Sequence, residues 1–168
     1  MKTLKNIKKA VIEIANLLAQ DSILVRLIYN DGPDALEREV PESVDLNFLI
    51  TNHYVSVFPP VENRIEEYGR NTFLSILLDS AMMSNDSNTR GNLILYVSTT
   101  ESELLIKENR NRLLEICDRI IAILQDTKLS AAGQINISSI SHVMLSEFHT
   151  AYRLNLNISD QSSVKGEM

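Results

Sequence analysis

Hydrophobic and polar positions alternate with a period of two from Glu147 to Ile158. Phe148, Tyr152, Leu154, Leu156 and Ile158 interleave there with Glu147, His149, Arg153, Asn155 and Asn157. The pattern predicts an antiparallel strand with one buried and one wet face. Near the start of the chain the period is helical: Leu4, Ile7, Val11, Ile14 and Leu18 share one face, with Lys5, Lys8, Lys9, Glu13 and Asn16 on the other flanks. This predicts an amphipathic helix from Leu4 to Ala19. Ile23 to Tyr29 is an apolar, β-branched run between Asp21-Ser22 and the turn formers Asn30-Asp31-Gly32-Pro33, and it predicts a strand. From Asp31 to Asp45 the chain carries Asp34, Glu37, Glu39 and Glu42 against Arg38 and includes Pro41. A solvated loop or an irregular edge strand is expected there.

Tyr54 to Phe58 predicts a second strand, which Pro59-Pro60 ends because proline cannot donate to a ladder. The runs Phe73 to Leu78 and Asn92 to Ser98 flank the turn-forming segment Asp79 to Gly91, as in a hairpin with a long tip. Thr100 and Glu103 have the spacing of a capping box, so a second helix is expected from Glu101 to Gln125. Leu105, Leu113, Ile116, Cys117, Ile120 and Leu124 form its apolar stripe, and Lys107, Glu108, Arg110, Arg112, Glu115, Asp118 and Arg119 lie largely off it. The Ser/Thr-rich connector from Gly133 to His142 has room for a short pairing strand through Ile135 and Ile137. The expected fold is α+β: a mainly antiparallel sheet with two amphipathic helices packed on it, one domain over residues 1–159 and a polar tail over 160–168. Its core should bring Ile116, Ile120 and Leu124 against Leu154 and Leu156.

Composition narrows the function. A chain of 168 residues that is 44% hydrophobic and 23% charged buries a sizeable core as one domain. Its formal net charge of −6 argues against broad phosphate-backbone binding, which needs a cationic face. Lys2, Lys5, Lys8 and Lys9 offer a local basic patch, but Glu13 interrupts the apolar stretch behind them, so a signal peptide is not expected. Nothing downstream is long enough to span a bilayer, and no membrane partner is expected. The single cysteine, Cys117, excludes an intramolecular disulfide and fits a reducing cytoplasm. On an apolar stripe it acts as a small hydrophobe with a raised thiol pKa. His53, His142 and His149 stand in no metal-binding frame, and His149 falls on the polar side of its strand as a surface histidine. No glycine sequence cradles a phosphate, and the acidic segment lacks the alternating ligands of a calcium loop. Neither cofactor, metal nor catalytic residues are therefore expected. Met82 and Met83 at the hairpin tip either adapt to a partner surface or fold back onto the core. The candidate interaction residues are Asp34, Glu37, Glu39, Glu42, Met82, Met83, Asp86 and Arg90.

The order of elements resembles the tail terminator, or tail completion, proteins of long-tailed bacteriophages and related contractile injection systems. The matching stretches are Leu4 to Ala19, Tyr54-Val55-Ser56-Val57-Phe58-Pro59-Pro60, Asn92-Leu93-Ile94-Leu95-Tyr96-Val97, the helix after Thr100, and Tyr152-Arg153-Leu154-Asn155-Leu156. The acidic segment after Tyr29 and the long hairpin tip are not placed on that pattern. The resemblance implies a homohexameric ring at the head-proximal end of the virion tail, assembled in the host cytoplasm. Such a ring contacts the tail tube protein on one side and a neck or head-completion protein on the other. DNA passes through its lumen without sequence-specific binding. Physically, a ring that matches the tube on one face and presents a different surface opposite ends a head-to-tail series. Two other classes stay open: a non-catalytic adaptor, neck protein or chaperone that binds a peptide through its sheet edge, and a small enzyme on an α+β sandwich. The enzyme has the least support, because nothing supplies a base and a nucleophile together.

Overall fold

In the computed structural model, residues 2–57, 60, 69–83, 89–130 and 132–159 are described, with the backbone alone at 2–4, 81–83, 89–90 and 159. The first helix, α1, spans Lys2–Ala19 as its period dictates, with Ile7, Ala10, Ile14, Ala15 and Leu18 buried and Lys5, Lys8 and Lys9 exposed. The next apolar run departs from expectation. It is a helix, α2 (Ser22–Tyr29), whose first turn is capped by Asp21 accepting from the Leu24 N–H at 2.8 Å. Leu24, Val25, Leu27 and Ile28 fill its inner face, while Ile23 is 41% exposed. A short apolar run does not distinguish a buried helix from a strand, and propensity differences of about 0.7 kcal/mol or less per residue yield to a cap and a packed face. The acidic segment forms turns and no strand, and it leads into a short helix, α3 (Leu46–Thr51), capped by Asp45.

Six strands form one curled sheet in the order β1-β2-β3-β8-β7-β6. They are β1 (Val55–Ser56), β2 (Thr72–Met83), β3 (Thr89–Thr100), β6 (Lys128–Leu129), β7 (Gly133–Met144) and β8 (His149–Ser159). Among the described residues only β1 and β2 run parallel. The hairpin strands are much longer than the apolar runs that announced them, and Met82, Met83 and Arg90 lie in strands, not in a loop. The Ser/Thr-rich connector is a full strand of 12 residues. Serine and asparagine alternating with isoleucine satisfy a ladder whenever a partner strand is present, and β8 pairs with β7 over its whole length.

Register explains the core. Leu74 lies opposite Val97 and Val97 opposite Tyr152, and the rows Ile76, Leu95, Leu154 and Leu78, Leu93, Leu156 follow on the same face. Against that face packs α4 (Arg112–Leu124), and Ile116, Ile120 and Leu124 are fully buried with Leu154 and Leu156, as the apolar stripe requires. Phe148, expected inside, precedes β8 and is 65% exposed, whereas His149 is buried. The reason is that the opposite face of the sheet is not wet at this end: fully buried Phe73 lies there, its ring 6.0 Å from that of His149.

The start of α4 also differs from the predicted capping box. Thr100 closes β3, and its hydroxyl meets Ser102 at 3.1 Å rather than a backbone donor. A single 3-10 turn (Glu101–Glu103) follows, then a small antiparallel pair, β4 (Leu105–Ile106) and β5 (Arg110–Asn111). Glu108 and Asn109 make its turn in the left-handed region, at φ 64° and 58°. The helix proper begins only at Arg112, capped by Asn111 accepting from the Leu114 N–H at 3.2 Å. Glu103 cannot complete a capping box because its carboxylate is engaged by Arg112 and the Gly32 N–H.

Candidate interaction surfaces

The acidic segment is anchored from within. Arg112, with no exposed side-chain area, donates to the carbonyls of Leu27 (2.9 Å), Asn30 (2.7 Å), Gly32 (2.6 Å) and Glu103 (2.8 Å), and to the Glu103 carboxylate at 3.2 Å. Two of those carbonyls lie at the end of α2, where helical partners run out and a cation is favoured. Asn30 adds side-chain bonds to the carbonyls of Ala35 and Arg38, each at 3.0 Å, and buried Ala35 faces inward. Burial pushes the Arg112 guanidinium below the usual arginine range, and the Glu103 carboxylate opposes that push. Sequence reading placed Arg112 among the off-stripe charges. Its role depends on carbonyls more than 80 residues away, so no local signal marks it.

On that scaffold the predicted acidic residues point to solvent. Asp34 pairs with Arg38 one helical turn on, and Glu37 pairs with Lys107. Glu39 and Glu42 are exposed beside a shallow hollow of about 280 Å³ at Ala19, Val25 and Val44. The segment borders the Thr72 end of the sheet, where Asn71 donates to Asp31 at 3.0 Å. The other predicted group lies at the far end of β2 and β3. Met82 stands opposite Arg90 and Met83 opposite Thr89 in the ladder, while Asp86 lies outside the described residues. Eleven residue steps along β2, at about 3.3 Å each, put roughly 35 Å between its two ends. The two groups therefore belong to opposite ends of the sheet.

Two further features were not foreseen. An apolar groove of about 710 Å³ runs between α1 and the β1–β2 edge, lined by Ile7, Val11, Ile12, Val57, Ile76 and Leu78 with Lys5 and Lys8. At the opposite sheet edge, β6 covers only Gly133 and Gln134 of β7, and Ile140 and Met144 are 42% and 57% exposed. Sequence did carry a signal for this strand: Gly133–Met144 contains no charged residue.

Two ionisable groups with shifted pKa values have architectural causes. Burial pushes the Cys117 thiol up to about 12, which leaves it a packing residue. Burial of Asp21 opposes its charge, yet the Arg119 hydrogen bond and the Leu24 N–H together hold its carboxyl below the usual range. Among the described residues no three His, Cys, Asp or Glu side chains gather as a metal site would require, and no helix is long and apolar enough to cross a membrane.

No curated protein matches the chain. The model of the YomW family, named after a gene in a Bacillus phage region, matches residues 21–158. That span begins at the cap of α2 and ends one residue before the end of β8, so it takes in the sheet, α4 and the acidic segment together. The chain belongs to this phage-associated YomW family.

Proposed function

We propose that the protein is a structural virion component, a ring-forming tail terminator that caps the tail tube and offers a docking surface to the neck. The observation that carries this reading is that the acidic segment borders one end of the β2–β3 hairpin strands while the strands run on for the full length of the sheet to a second end. A terminator must meet a tube on one side and a different partner on the other. An acidic segment pinned to one end of a rigid sheet and a long hairpin at the other suit two unlike neighbours. Membership of a phage-associated family and the expected order of leading helix, hairpin, packed helix and final strand support the same reading. The net charge of −6 suits a conduit through which DNA passes without sticking.

The test is electron microscopy of a deletion strain. Overlong tube polymers, or complete tails without heads, are expected, and normal joined virions would refute the reading. In the complemented strain, the Glu37→Lys, Glu39→Lys, Glu42→Lys triple variant is expected to lower joined particles while leaving the protein folded. A non-catalytic adaptor is the second reading, and the open edge of β7 favours it. An adaptor would leave tail length and joining intact in the deletion strain.

A further inference from the structure

Two surfaces of the chain carry opposite charge around apolar centres. The first is the groove between α1 and the β1–β2 edge, where Ile12, Val57 and Leu78 are 59%, 47% and 42% exposed. Its described lining contains no carboxylate. Lys5 and Lys8, three residues apart on α1 and so neighbours on its surface, also line it. Among the described residues neither lysine has an ion-pair partner. Apolar surface with unpaired cations beside it is matched by apolar side chains flanked by carboxylates.

The acidic segment contains that arrangement in Glu39-Val40-Pro41-Glu42. Pro41, Glu39 and Glu42 are exposed and Val40 is half-buried. The stretch is held in place: Asn30 donates to the Arg38 carbonyl just before it at 3.0 Å, and the Val44 N–H closes a turn onto the Pro41 carbonyl at 2.9 Å. Asp34 and Glu37 already have Arg38 and Lys107, but Glu39 and Glu42 have no ion pair among the described residues. Arg26 borders the same hollow and donates instead to the Leu36 carbonyl at 3.1 Å. The two surfaces also stand apart. The groove takes Lys5 and Lys8 from the first half of α1, whereas Glu39 and Glu42 lie beside Ala19 at its end, eleven residues past Lys8 or roughly 16 Å at about 1.5 Å per residue.

We propose that the groove receives the Glu39–Glu42 turn of a second copy of this chain, with Lys5 and Lys8 facing the two carboxylates and Pro41 against the apolar floor. Local charge selects this occupant: unpaired ammonium groups on one surface meet unpaired carboxylates on the other, although whole copies at −6 repel. Because the two patches differ, the contact is heterologous. Each copy receives one neighbour and inserts into the next, and such a series closes into a ring when the rotation per step allows. The proposal rests on the ring reading for that closure, and it leaves the part of the segment around Asp31, at the Thr72 end of the sheet, for the axial partner.

The experiment measures mass in solution across a concentration series, on the purified full chain. Three variants at exposed positions accompany the wild type: Lys5→Glu with Lys8→Glu, Glu39→Lys with Glu42→Lys, and Ile12→Ser, which keeps every charge. Circular dichroism and urea midpoints establish that each folds. The wild type is expected to associate beyond a dimer, and each variant alone to associate at least tenfold more weakly. An equimolar mixture of the two charge variants should recover association to within about threefold of the wild type, because each supplies the surface that the other now complements. Variants that associate as the wild type does would overturn the contact, as would a mixture that stays apart. A mixture that stops at two chains would make the contact reciprocal and overturn the heterologous series. A wild type that remains monomeric throughout would overturn it too. In every case the deletion phenotype decides the ring reading separately.

Discussion

The acidic segment and β7 invert each other. The segment from Asp31 to Asp45 carries a dense run of charge, and its backbone is held from inside by a buried arginine and a buried asparagine. The strand Gly133–Met144 contains no Asp, Glu, Lys or Arg, yet among the described residues no strand pairs with more than half of its outer edge. Charge is therefore a poor guide to how firmly a segment is held. A segment's rigidity follows from whether its backbone groups find partners, and its exposure follows from what packs over it.

The sharpest way to break this comparison is at Arg112. Replacing it with Met should cost about 3 to 5 kcal/mol, since four carbonyls and the Glu103 carboxylate lose a buried donor. Arg112→Lys should recover only part, because an ammonium cannot reproduce the guanidinium fork. A urea midpoint near wild type would show that the segment is held some other way. Next in size is Ile120→Ala, at about 2 to 5 kcal/mol, because the residue is fully buried between α4 and the sheet. Ile140→Ala on the uncovered part of β7 should change folding stability by only about 0.5 kcal/mol, and a loss as large as that of Ile120→Ala would mean the edge is covered in the monomer.

Helix starts provide a smaller contrast. Asn111→Ala should lower stability by about 0.5 to 2 kcal/mol through loss of the α4 cap, whereas Thr100→Ala should stay within about 0.5 kcal/mol. Reversed sizes in thermal melts would restore the earlier start. The smallest effect is electrostatic. Asp21 has a folded pKa below its unfolded value, so its contribution is present above the unfolded pKa and is lost as pH falls through the folded one. Asp21→Asn keeps a capping oxygen and loses the ion pair with Arg119. It should bring the variant closer to the wild type in acid than at neutral pH, and a gap that does not change with pH would exclude this linkage.

Elements with a long, unambiguous period were legible: α1 from Ile7 to Leu18, the stripe Ile116, Ile120, Leu124, and the alternation Leu154, Leu156, Ile158 all occupy the expected core. The short run at Ile23 to Tyr29 was not, because six apolar residues around Arg26 suit either a strand or a buried helix and only packing chooses. The Thr100 to Glu103 spacing misled for a related reason: Glu103 had a better partner in Arg112 than in its own helix turn. Of the candidate surface, the acidic residues and the charge-free run at β7 were visible as composition. Their placement at particular ends and edges of the sheet was not.

By itself the sequence determined the α+β class, the core stripe, the inert cysteine and the acidic balance, because each depends on residues close in the chain or on simple counting. Tertiary structure alone decided the buried role of Arg112, the burial of His149 behind Phe73, the length of β7 and which of its residues stay uncovered. Each of these turns on partners far away in the sequence, and hydrogen-bond satisfaction and burial are properties of the assembled neighbourhood rather than of the residue that enters it.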